Sequence, residues 1–194
     1  WLQGWVAVRH REAAERTVLT AVAAGVPPSA LADLMVAAGT ERAFADGGHV
    51  LDFINKAFEC LELIGVEHAA ELLPALIPVL TAAQGAEEAT AWRTSVDLIA
   101  LCQEGAEALA NVLVGPPGPP WSDHVALTEV LLGDDPVAII GALTEAARAG
   151  ASPGDLGRSL AYAAALRVAR FGNANEHADW ETAHHAFTYA NAVH

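Results

Sequence analysis

The amino-acid sequence predicts an all-α protein: an antiparallel helical array of about nine helices with an internal pseudo-repeat. Three observations predict it. Alanine supplies roughly a fifth of the residues, and runs of β-branched and aromatic residues are absent. Apolar residues recur at spacings of three and four along most of the chain. Glycine and proline punctuate the pattern where helices stop and start. The first helix begins near Gln3 and closes at Gly25, a C-cap glycine, and the second starts on Pro28, a first-turn proline. Gly47-Gly48 opens a third that ends at Gly65, and helices beginning near Glu67 and Ala86 complete the first part. A helix from His124 closes at Gly133, and another from Asp135 closes at Gly150. Ser152-Pro153-Gly154-Asp155 then supplies an N-cap, a first-turn proline and an acid facing the helix dipole. The last helix begins near Asp179.

The run Gly115-Pro116-Pro117-Gly118-Pro119-Pro120 cannot continue a helix and reads as a semi-rigid linker at 115–121. It separates a first helical unit, 1–114, from a second, 122–194, the two packing as one compact domain, with Trp121 pinning the linker down. The halves echo one another. Ala24-Gly25-Val26-Pro27-Pro28-Ser29-Ala30-Leu31 matches Ala149-Gly150-Ala151-Ser152-Pro153-Gly154-Asp155-Leu156. A histidine-bearing helix follows in each, His49 standing six residues before Asn55 and His185 six before Asn191. The intervening loop differs by about eleven residues.

With 194 residues and 53% hydrophobic content, the chain buries a core without needing a metal or disulfide to stay folded. Its mean hydropathy is +0.30. Ten Lys and Arg against 24 Asp and Glu leave a formal charge of −14. That charge repels phosphate backbones and anionic lipid, so neither nucleic acid nor a membrane surface is an expected partner. The longest apolar stretch, Leu72 to Ala83, carries Pro74 and Pro78 and is too short to span a bilayer. Cys60 and Cys102, both in apolar helical stretches, build no disulfide framework and fit a reducing cytoplasm. The chain opens at Trp1 rather than Met and stops at His194 within a helical pattern, so it reads as part of something longer.

Two segments carry candidate chemistry. In Glu181-x-x-His184, with His185 adjacent, the spacing sets a carboxylate and an imidazole on one helical face, as in carboxylate-bridged metal bundles. The second segment places His49, Asp52, Phe53 and Lys56 on one face, with Asp46 three residues before His49. His68 and Glu71 form a further pair at that spacing. The expectation is a divalent metal, iron favoured, bound between the two histidine helices by His49, His184, His185, Glu181, Asp46 and His68. His184 or His185 alternatively serves as a general base oriented by Glu181. Either arrangement fits oxidation of a small molecule. Against it stands solvated helix faces that happen to hold histidines, in a non-catalytic scaffold, homo-oligomer or docking module. His10 and His124 read as surface or capping residues. Phosphate-loop, nucleophile-elbow, His-Glu-x-x-His and dinucleotide-binding fingerprints are all missing from the sequence.

The segment "EAARAGASPGDLGRSLAYAA" resembles the helical repeat of carboxymuconolactone decarboxylase and alkylhydroperoxidase-D-like proteins. That resemblance implies an all-helical oligomer; its Cys-x-x-Cys-x-x-His chemistry does not transfer, because those cysteines are lacking. "GGHVLDFINKAFE", "LLGDDP" and "DWETAHHAFTYANAVH" are similar to an uncharacterised bacterial helical family sometimes assigned to Rieske iron–sulfur proteins. The paired Cys-x-His ligands of such a cluster are absent, so the similarity implies a redox partner rather than a cluster here.

Overall fold

The computed structural model describes residues 1–89, 91–93, 95–113 and 121–194. The protein is all-α, with 79% of the described residues helical. It divides into two compact units, Trp1–Ala89 and Thr90–His194. The first holds α1 (Leu2–Ala7), α2 (Arg11–Ala23), α3 (Pro28–Gly39), α4 (His49–Ile64), α5 (Ala69–Leu72), α6 (Ile77–Ala82) and α7 (Ala86–Ala89). The second holds α8 (Leu98–Leu113), α9 (His124–Leu131), α10 (Pro136–Arg148), α11 (Pro153–Ala169) and α12 (His177–Val193).

This division differs from the sequence reading, which sets the boundary at the proline run. Residues 115–120 lie outside the described residues, whereas α8, counted by sequence with the first part, packs on α10 within the second unit. Gly105 permits that contact: a Cβ there would lie 2.8 Å from the Ile140 side chain. Three predicted helices are broken, among them the one expected from Glu67, which is divided between α5 and α6. The helix expected from Gln3 to Gly25 stops at Val8, because Arg9 takes a left-handed conformation at φ 57°. His10 then restarts the chain, its ring accepting from the Ala13 amide at 3.2 Å as the N-cap of α2. The helix expected from Ala86 is likewise divided between α7 and α8.

The pseudo-repeat is visible in the backbone. α2 and α10 span residues 125 apart (11 and 136, 23 and 148), and both end on the same turn. Gly25 at φ 70° and Gly150 at φ 106° occupy the left-handed region that a side chain disfavours. Val26 donates back to the Ala21 carbonyl and Gly25 to Val22; Ala151 and Gly150 do the same to Ala146 and Ala147. These paired bonds satisfy carbonyls that the helix end would otherwise strand. Prolines 28 and 153 then begin α3 and α11, the latter with a full capping box between Ser152 and Asp155. Packing repeats as well: α1 lies on α2 and α3 with α3 on α4, and α9 lies on α10 and α11 with α11 on α12. The longer connection in the second copy is absorbed by α11, 17 residues against 12 in α3, and by a start to α12 well ahead of His185.

The first core is aliphatic, with Met35, Ile54, Leu73, Ile77 and Leu80 almost wholly buried, each contributing about 1.5–3 kcal/mol. The second is built from Leu127, Ala146, Ala147, Ala151 and Leu156, with Leu109, Leu143 and Trp121 packed against them. Among the described residues one stretch, Val66–Ala89, is long and apolar enough by length and composition to cross a membrane, exceeding the limits read from sequence. Pro74 and Pro78 fall within a chain of short helical segments there, and Leu73, Ile77 and Leu80 serve the core.

Substituting Gly25 or Gly150 by alanine forces a Cβ into the left-handed region, and each change should lower stability by about 1–2 kcal/mol in urea unfolding. A neutral result at either position removes that turn from the account of the repeat.

Candidate functional site

In the first unit, the entrance to α4 is the most constrained backbone. Phe44, Asp46, Gly47 and Gly48 have φ of 47°, 51°, 65° and 95°, and two of the four carry side chains. Non-glycine residues hold such conformations only where surrounding bonds impose them. Here the Asp46 amide donates to Gln84 O at 2.9 Å and the Ala86 amide to Ala43 O at 2.7 Å. Arg42 donates to Ala7 O at 3.0 Å, and Glu87 accepts from the Ala43 amide at 3.1 Å. Glu88 accepts from Arg9 through both carboxylate oxygens at 2.8 Å, with Arg42 beside it at 3.8 Å. The hydrogen bond from Arg9 holds the Glu88 carboxyl below its ordinary range, aided by the Gly85 amide and the charges of Arg9 and Arg42.

His49 opens α4, half-buried and stacked on Phe53 at 5.4 Å. Asp46 is exposed. Lys56, expected in a row with Asp52, instead pairs with Glu59 at 2.9 Å; that bond, with Asn55, lowers the Glu59 carboxyl. Asp52 itself is half-buried, and its Oδ1 is wholly buried with no hydrogen-bond partner among the described residues. Such an oxygen is rare in a folded protein. His68 and Glu71 meet at 3.4 Å on an exposed surface.

In the second unit, α12 carries the other half of the predicted set. Ala183 and Ala190 are buried, which sets His184 and Glu181 outward, both exposed, with His185 half-buried. Glu181 lies 3.6 Å from His177, one turn back, so it pairs with a histidine the spacing argument passed over. His184 leans on Trp180 at 5.6 Å, and Trp180 meets Phe171 edge-on at 4.8 Å. Tyr189 is pushed up by burial, with the charge of Cys102 adding to the rise. Cys102 is exposed on α8 and Cys60 half-buried; both are free thiols. The predicted residues fall in both units: Asp46, His49 and His68 in the first, Glu181, His184 and His185 in the second. Among the described residues no three His, Cys, Asp or Glu side chains are grouped to hold a metal ion.

His124, read from sequence as a surface or capping residue, sits 2.8 Å from the buried Ser159 hydroxyl. Ser159 donates to the Asp155 carbonyl at 2.9 Å, so it accepts from His124 Nδ1–H. The partners lie 35 residues apart, and no local spacing signals them. No known protein-family model matches the chain, and comparison with curated proteins and with solved structures finds no match.

Replacing Asp52 by asparagine should raise unfolding stability by about 1 kcal/mol, since an unpaired amide is less costly to bury than a carboxylate. A lower midpoint would show that Oδ1 has a partner. Glu88 has its pKa depressed on folding, so its contribution is full above the ordinary carboxylate range and lost as pH falls through the folded-state value. The melting-temperature gap between the wild type and Glu88→Gln should therefore narrow between about pH 6 and about pH 3.

Proposed function

We propose that the chain is a non-catalytic helical docking module, with a four-helix motif repeated in its two units, that binds a partner protein and works in redox company. The observation that carries this reading is the local use of the candidate side chains. His68 meets Glu71, His177 meets Glu181, His49 stacks on Phe53 and His184 on Trp180. Each contact lies within one or two turns of a helix, the pattern of individually packed residues. The charge of −14 favours a basic partner, whose approach it accelerates and whose binding weakens with salt. The redox association rests on the family resemblance, and free Cys60 and Cys102 accord with a reducing cytoplasm.

A second reading, a metal-dependent protein that oxidises a small molecule, is favoured by one feature: the buried Asp52 oxygen, without a partner among the described residues, in the helix that follows the strained entrance at 44–48. His49, Asp46 and His68 in the first unit, or His184, His185 and Glu181 in the second, would supply imidazole and carboxylate ligands suited to iron. Elemental analysis of the purified chain separates the two. The docking module should hold far less than one metal per chain, and His49→Ala and His184→Ala should leave that content unchanged. Stoichiometric metal that either substitution abolishes would overturn the docking reading.

A further inference from the structure

Each unit forms a cleft at equivalent positions of the first two helices of the repeat. In the first unit it lies between α1 and α2 and has a volume of about 450 Å³; in the second it lies between α9 and α10, at about 280 Å³. Thr17, Thr20, Ala21 and Ala24 line the first, and the residues 125 further on, Ala142, Glu145, Ala146 and Ala149, line the second. The backbone repeats while the chemistry is inverted. Arg16, which lines the first cleft, has Gly141 as its counterpart, and Thr20 has Glu145. Asp123 adds a second carboxylate. The aromatic wall is rebuilt from elsewhere: Trp5 gives way to Val130, and Trp121 enters from outside the helices.

Trp121 is held firmly. It packs on the second core and meets His124 edge-on at 4.6 Å, and His124 is fixed by its hydrogen bond to buried Ser159. An indole wall, an apolar floor of Leu127 and Ala146, and two carboxylates at the rim match an ammonium group on an aliphatic stem. The volume is at the low end for ligand sites, which suits one side chain rather than a cofactor. Glu145 already pairs with Arg148, but that pair is exposed and contributes little, so an incoming cation can share the carboxylate.

We infer that the α9–α10 cleft receives a lysine side chain from a basic partner protein, an inference that rests on the docking reading and names the chemistry of its partner. The test follows Trp121 emission, taken as the difference between the wild type and Trp121→Phe, during titration with capped Ala-Lys-Ala. Capped Ala-norleucine-Ala, n-butylammonium and n-butyrate serve as comparisons. A saturable change with the lysine peptide and with n-butylammonium is expected, together with about tenfold weakening in Asp123→Asn/Glu145→Gln, equivalent to about 1.4 kcal/mol. Both substitutions are at exposed positions, and a urea midpoint equal to that of the wild type establishes that the variant is folded. An equal response to norleucine or butyrate, an unchanged affinity in the double variant, or no response to the lysine peptide overturns the inference. Response to n-butylammonium without response to the peptide overturns a protein source for the cation. A partner protein that binds the wild type and the double variant alike would remove this cleft while leaving the docking function standing.

Discussion

The architecture depends on a single turn used twice. Gly25 and Gly150 each reverse the chain by adopting a left-handed conformation that lets the following amide close onto the helix just ended. The proline three residues later fixes the backbone angle at which the next helix departs. Once that exit angle is set, α3 must lie beside α2 and α11 beside α10, and α1 and α9 seal the same side of each pair. The small residues around the second turn follow from this geometry. Ala146, Ala147 and Ala151 are buried in the second core at this turn, and larger side chains there would force the packed helices apart.

Most of this was legible in the sequence because helix stops and starts are local chemistry. Gly25, Pro28, Gly150 and the Ser152 box identify themselves by residue type, and the structure forms each as expected. Breaks driven by distant partners were not legible. Arg9 turns left-handed where its guanidinium reaches Glu88, nearly eighty residues along the chain, and no window around Arg9 contains that information. The same limit applies to α8. Its periodicity shows a helix but is silent on which neighbour it covers, and the proline run after it drew the boundary away from Ala89.

The candidate site was legible only as spacing. A separation of three residues places two side chains on one helical face, but more than one partner competes for each group on that face. Glu181 has His177 behind it and His184 ahead, and it pairs with His177. Lys56 has Asp52 behind and Glu59 ahead, and it pairs with Glu59. Exposed pairs of this kind differ by only a few tenths of a kcal/mol, so residue spacing alone does not decide between them. Asp52 shows the converse. Its buried oxygen, unpartnered among the described residues, arises from tertiary packing, which leaves no mark in the local sequence.

Duplication also explains where the two units diverge. Positions that set the turn have kept their backbone chemistry, while positions facing open clefts have exchanged charge, Arg16 for Gly141 and Thr20 for Glu145. Histidines 49 and 185 follow the same logic. They match in sequence, but His49 stands at the first residue of α4 behind a strained loop, whereas His185 sits within α12 after two further turns. Identical residue types at matched positions therefore occupy different surroundings. A scaffold whose exit angles are fixed by two glycines and two prolines leaves its remaining surfaces free to specialise separately, and the inverted charge of the paired clefts is the expected product of that freedom.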